Sequence, residues 1–248
     1  MSYQGKTVLA VVPARGGSKS IPRKNLCRVG GLSLVARAAQ VAHALPWVDA
    51  RILSTDDDEI AAEGLAHGLD VPFRRPPELA GDRSTSIDMW RHAWLAAEQY
   101  FQKRFDLSVL LEPTSPMRRS EDVERTVRML VEGGHKAAAT VSPTPAHFTP
   151  HKTLTVSAEG IIGFYLQDGA CYSLRQGVPH YYHRNGLCYA VTRHHLVDNG
   201  LIIDRDAAAV VVERPVVNID EPFELELAEF LLERAQKVPA TNNEGSGK

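Results

Sequence analysis

Residues 7–13, TVLAVVP, form a nearly unbroken apolar, β-branched run, the pattern of a strand buried on both faces as in parallel sheets. Over residues 32–45, Leu34, Val35, Ala38, Val41, Ala42 and Leu45 recur at helical spacing, and Pro46 stops the pattern. Residues 51–54 read as a second strand, with Thr55 or Asp56 placed to cap a helix through about His67. The alternation continues with a strand at 71–74, a helix at 86–104, a strand at 107–111, a helix at 120–132 and a strand at 137–141. Strands alternating with crossover helices predict a doubly wound, mainly parallel α/β sheet with helices on both faces.

After Pro143 the texture changes. Pro145 and Pro150, short extended runs at 154–156 and 161–166, and Tyr172, Tyr181 and Tyr182 predict an inserted β-rich lobe over residues 143–185. The core, residues 1–142, resumes over 186–240 with strands at 187–192 and 209–212 and an amphipathic helix at 222–235. His194 and His195 read as a surface helix start, and the polar stretch 241–248, TNNEGSGK, as a disordered tail.

Composition narrows the partners. A formal net charge of -2 gives no general field for polyanions, so nucleic acid is not expected, and any phosphate site must be a local basic cluster. No stretch of about 18 apolar residues and no leader-like start occurs, so neither a membrane nor export is expected. Cys27, Cys171 and Cys188 lack paired spacing, which suits a reducing cytoplasm. The histidines show no HExxH spacing, and there is no GxSxG elbow.

The chemistry concentrates after the first strand. Residues 13–25, PARGGSKSIPRKN, place Gly16 and Gly17 among Arg15, Lys19, Arg23 and Lys24. Adjacent glycines let backbone N–H groups approach an anion, and the cations neutralise a polyphosphate. In open α/β sheets such a loop lies at the carboxyl ends of the strands, where ligands bind. Neither GxxxxGK[ST] nor GxGxxG is present, which sets aside the P-loop and dinucleotide readings.

That segment resembles the first signature of the acylneuraminate cytidylyltransferases, the CMP-sialic acid synthetases and their relatives acting on other nonulosonic acids. Four further segments resemble the same family in order: RRPPELAGDRSTS (74–86), LLEPTSPMR (110–118), HRNGLCY (183–189) and NIDEPFELELAE (218–229). The resemblance implies an enzyme that uses CTP and Mg²⁺, joins CMP to a carboxylate-bearing sugar and releases pyrophosphate. It also implies a homodimer that exchanges the inserted lobe.

By that resemblance Arg15, Lys19 and Lys24 hold the phosphates, while Ser18, Asn25, Arg75 and Ser86 contact the nucleotide. Arg75 reads alternatively as a surface charge beside Pro76 and Pro77, and Ser86 equally as a helix cap. On the acceptor side stand Glu112, Thr114, Arg118, Lys152, His183 and Arg184. Thr114 reads also as part of a turn before Pro116. The family commonly has Gln where Glu112 stands and Arg where His183 stands, so His183 and Arg184 are both candidates for the carboxylate ligand, and His183 reads equally as a packed or surface histidine. If that segment is extended, the two point to opposite faces. For the metal the resemblance implies Asp220 with Asn218, where many relatives have a second Asp. One carboxylate and an amide oxygen suffice for Mg²⁺ when triphosphate oxygens complete the shell. Asp220 reads alternatively as a helix N-cap. Two other readings stay open: another CTP-activated acid, such as a Kdo-like sugar or a small phosphonate, and a nucleotide-binding homologue without turnover.

Overall fold

The computed structural model describes residues 3–172 and 177–237; the tail expected at 241–248 lies outside them. Six strands form the main sheet in the order β10-β6-β9-β5-β1-β4: β1 (Val8–Pro13), β4 (Ala50–Ser54), β5 (Leu107–Leu110), β6 (Ala137–Pro143), β9 (Tyr182–Thr192) and β10 (Ala208–Val211). β1 pairs in parallel with β4 and β5, and β10 with β6. β9 runs antiparallel between β5 and β6. The helices are α1 (Leu34–His43), α2 (Asp58–Ala66), α3 (Ser86–Phe101), α4 (Ser120–Glu132) and α5 (Pro222–Lys237). Among the described residues no helix is long and apolar enough to cross a membrane.

The apolar run in β1 is explained by its two buried faces. Val8, Ala10 and Val12 pack with Val35, Ala39, Ile60 and Val127 of α1, α2 and α4, while Leu9 and Val11 pack with Trp90, Ala93 and Trp94 of α3. A third cluster joins Ile21, Val29 and Leu34 to Val217, Ile219 and Ala228, which fixes α5 against the loop after β1. The order of connections creates the site. From β1 the chain crosses to β4, whereas from β5 it crosses toward β6, so the loops leaving β1 and β5 diverge at their carboxyl ends and open a crevice.

Several local expectations are corrected. No strand forms over 71–74: only Asp70 bridges Ile52, and Pro72, with no N–H to donate, ends the pairing. Asp57, not Thr55 or Asp56, caps α2, its carboxylate accepting from Glu59 and Ile60 amides at 2.9 Å each. Thr85, not Ser86, caps α3. The first helix is shorter than its pattern because β2 (Arg28–Val29) and β3 (Leu32–Ser33) form a hairpin, with Gly30 and Gly31 at φ 57° and 80° in its turn. Residues 194–198 form a π-helical turn whose His195 is buried rather than on the surface.

The segment between β6 and β9 stands off the main sheet. Its described residues hold short 3-10 turns and one antiparallel hairpin, β7 (Leu154–Val156) with β8 (Ile162–Phe164). β9 carries the chain from this segment into the core without a break, its first residues pairing with Ser142 and Pro143. The register shifts opposite Ala139 and Val141, where Gly186 adopts φ 70°. Asn185 is turned inward there, its side-chain oxygen accepting from Thr140 at 2.6 Å and its amide donating to Ser142 at 3.0 Å.

Candidate active site

The crevice at the carboxyl ends of β1 and β5 divides into two clefts that share Thr85, Ser86 and Glu112. The first, about 390 Å³, is lined by Arg15, Lys24 and Arg75, by Asn25 and Thr114, and by Asp82, Glu112 and Asp220. The second, about 560 Å³, is lined by Arg184, Tyr189 and Asn218 and by the aliphatic side chains Ile87, Leu201, Ile202 and Ile203. One cleft is thus rich in charge, the other half apolar.

The loop after β1 is tied to its surroundings by acids the sequence reading did not single out. The Gly16 amide donates to Asp56 at 2.9 Å. A Cβ on Gly16 would stand 2.8 Å from the Asp57 carboxylate, so this approach requires glycine. Arg15 lies 3.4 Å and Lys19 2.6 Å from the Asp82 carboxylate. Both pairs are solvent-exposed and contribute little to stability, so the cations are available to a stronger anion. Lys24 donates to the Ile219 carbonyl at 2.9 Å and pairs with Asp220 at 3.0 Å. Asn25 is buried and donates to the Arg15 carbonyl at 3.0 Å, which fixes the loop.

Arg75 is buried, not a surface charge; it lies against the side chain and carbonyl of Ser54, and burial pulls its pKa down to about 10, partly offset by Asp56. Ser86, one residue inside α3, faces both clefts. The carbonyl of Thr114 accepts from the Ile219 amide at 2.8 Å, linking the turn after β5 to the segment before α5, so Thr114 stands both in the turn and at the cleft. Glu224 closes the start of α5 by accepting from the Asp220 and Glu221 amides. The Asp220 carboxylate is therefore not a cap; it pairs with Lys24 and accepts from Asn218 at 3.1 Å. Burial raises the pKa of Glu112, with Arg118 opposing and Asp220 reinforcing.

Other expected site residues stand elsewhere. Arg118 lies beneath the clefts, its guanidinium donating to the carbonyls of Leu187, Glu112 and Gly186. The same burial pulls its pKa down to about 10. Ser18 and Lys19 belong to the outer loop and do not line either cleft. Lys152 donates to the Tyr172 carbonyl within the lobe. Arg184 lines the second cleft, whereas His183 turns away and meets the Thr144 hydroxyl at 3.1 Å. The aliphatic wall at 201–203 was not singled out, because an apolar triplet after Asn199-Gly200 reads the same whether it packs in a core or faces a ligand.

Comparison with known proteins agrees with this geometry. The chain is 29% identical over 241 residues to the CMP-N,N'-diacetyllegionaminic acid synthase of Legionella pneumophila, covering 93% of this chain and 98% of the relative. It is 27% identical over 226 residues to the post-translational flagellin modification protein B of Campylobacter coli, covering 91% and 94%. In fold it is similar to CMP:2-keto-3-deoxy-manno-octonic acid synthetase complexed with CTP, with a TM-score of 0.67 at 19% identity over 94% of this chain and 100% of that one. The family model for cytidylyltransferases matches residues 9–199, which contain the cationic loop, both strands of the crevice and β9: the chain belongs to the cytidylyltransferase family.

Proposed function

We propose that this protein transfers CMP from CTP to the anomeric hydroxyl of a nonulosonic sugar and releases pyrophosphate. The observation that carries the reading is the pair of clefts meeting at Glu112 and Ser86, one lined with cations and the other with Arg184 and aliphatic side chains. The triphosphate lies against Arg15 and Lys24, with Lys19 closing from the rim, so that charge leaving with pyrophosphate is met by fixed cations. Asn25, Arg75 and Ser86 hold the nucleoside side. The sugar carboxylate pairs with Arg184, whose planar fork suits a carboxylate, and its acyl groups face Ile87, Leu201 and Ile203. The hydroxyl oxygen attacks the α-phosphorus, the bond from that phosphorus to the bridging oxygen breaks to free pyrophosphate, and the hydroxyl proton passes to solvent water. The printed name of the Legionella relative, a legionaminic acid synthase, supports a sugar of this class.

Mg²⁺ belongs to this reading. The Asp220 carboxylate, 67% exposed on the cation-rich cleft, and the Asn218 amide oxygen on the second cleft are hard oxygen donors and fit such an ion. Among the described residues no group of three or more His, Cys, Asp or Glu side chains surrounds a metal position, so the ion depends on triphosphate oxygens as well. When bound it draws off negative charge from the phosphates undergoing transfer.

The test is pyrophosphate release from CTP, ATP, GTP and UTP against a panel of nonulosonic, ulosonic and phosphonic acids. Release with CTP and a nonulosonic acid well above all other pairs is expected. Equal rates with the other nucleotides, or preference for a phosphonate, would exclude the reading, and no release with any pair would return the chain to a nucleotide-binding role.

The protein acts in this reading as a cytoplasmic homodimer built on the lobe of residues 143–185. Phe148, Val156, Ile161, Ile162 and Tyr165 of that lobe are between 63% and 71% exposed, an apolar concentration that a monomer seldom leaves in water. Cys27, Cys171 and Cys188 are all unpaired, which supports a reducing compartment. Light scattering at micromolar concentration is expected to give the dimer mass, and Ile162→Glu the monomer mass. A monomeric wild type would defeat the proposal.

A further inference from the structure

Glu112 is the second residue beyond β5 and lies where the two clefts meet. Its side chain is partly buried, and among the described residues its carboxylate has no hydrogen-bond donor and no ion-pair partner. The neighbouring cations are occupied or lie across the cleft. Arg118 gives its guanidinium to three carbonyls, one of them that of Glu112 itself. Lys24 is held by the Ile219 carbonyl and Asp220. Arg184 faces the second cleft, where the acceptor carboxylate is expected. Asp220, for its part, adds like-charge repulsion to Glu112. A desolvated carboxylate without a donor is costly, and a bound cation is one way to remove the cost.

The space beside this carboxylate has the character of an oxygen cradle. A Cβ on Gly186 would stand 2.6 Å from the Ser115 hydroxyl, 3.1 Å from Glu112 Oε2 and 3.3 Å from Asn218 Oδ1. Three oxygens therefore converge on room that only a glycine at φ 70° leaves open. Asn218 is oriented from both ends: its oxygen accepts from Ser115 at 3.1 Å and its amide donates to Asp220 at 3.1 Å. The amide thus turns its carbonyl toward Glu112 and bridges to Asp220. Oxygen donors from one carboxylate on each side of a neutral amide are suited to a hard divalent cation.

We propose that Glu112 supplies the second protein carboxylate of the divalent-cation site, with Asn218 joining it to Asp220. This rests on the metal-dependent reading above and changes what Glu112 is for: it serves the cation, not chiefly the acceptor sugar. The site then carries two protein carboxylates although position 218 is uncharged.

The test is a titration with Mn²⁺ alone, followed by electron paramagnetic resonance, of wild type, Glu112→Gln, Glu112→Asp and Asp220→Asn. Wild type is expected to bind one Mn²⁺, and Glu112→Gln to weaken that affinity by about tenfold or more, comparable with Asp220→Asn. Glu112→Asp keeps the charge on a shorter arm and is expected to recover part of the loss, which also serves if Glu112→Gln does not fold. Unchanged Mn²⁺ affinity in Glu112→Gln, with a raised KM for the acceptor, would make Glu112 an acceptor contact and overturn the proposal. So would a Glu112→Asp variant no tighter than Glu112→Gln. The titration needs no turnover, so a failure of the proposed cytidylyl transfer shows separately, in the pyrophosphate assay.

Discussion

Asp220→Ala is expected to lower CMP transfer by roughly a thousandfold while leaving the fold intact, the scale on which loss of a group that places charge against a transferring phosphoryl centre is felt. The expectation follows from where the side chain stands. Asp220 is 67% exposed, lines the cation-rich cleft and does not cap α5, so its removal orphans no helix amide. What it does remove is the partner of Lys24 and the acceptor for Asn218. Steady-state kinetics with a magnesium titration, beside a thermal melt, measures both sides. Near-normal turnover in the variant would put the metal somewhere else. Arg15→Ala and Lys24→Ala are expected to cost about tenfold or more each, since a charge-assisted phosphate contact contributes roughly 1.5–3 kcal/mol.

The sheet and its crossover helices were legible because continuous apolar runs and helical spacing report burial directly: β1, β5, α1, α3 and α4 stand within a few residues of their patterns. The short elements were not. The hairpin of β2 and β3 is built on Gly30-Gly31, a turn signal hidden beneath a helical pattern that also fits residues 32 and 33. Residues 71–74 offered an apolar pair about Pro72, and the proline decided against a strand. That β9 runs antiparallel inside a mainly parallel sheet is set by the path of the preceding segment, which no local pattern encodes.

The site divides in the same way. Arg15, Lys24, Asn25, Arg75, Ser86, Glu112, Thr114, Arg184, Asn218 and Asp220 all reach one or other cleft, because motif order and strand ends together locate a crevice. What the motifs did not contain was the direction of a side chain. Whether His183 or Arg184 faces the ligand depends on the pleat of β9, and here Arg184 faces the cleft. The acids Asp56, Asp57 and Asp82, which hold the cationic loop, lie far from it in sequence, and only tertiary contact identifies them.

Arg118 shows how far a motif can mislead about role, and its substitution is expected to act on stability before chemistry. A guanidinium at this position in a phosphate-using family invites assignment to an anion, but here it is buried and donates to the carbonyls of Leu187, Gly186 and Glu112. Those three carbonyls belong to β9 and to the turn after β5, so Arg118 holds together the two elements that carry Glu112, Arg184 and Gly186. Arg118→Ala takes this donor from the Leu187 and Gly186 carbonyls in a space water fills poorly, while the Glu112 carbonyl keeps the Ser115 amide, a loss of about 3 kcal/mol or more. For a chain of this size that corresponds to a fall in melting temperature of roughly 6 °C or more. Arg118→Lys is expected to fall between, because one ammonium cannot span three carbonyls as a planar fork does. Urea unfolding of both variants, with KM for the acid measured under conditions where each stays folded, separates the two roles. Unchanged unfolding midpoints together with a raised KM would restore Arg118 to the substrate; lowered midpoints in the order Ala below Lys below wild type would keep it in the frame.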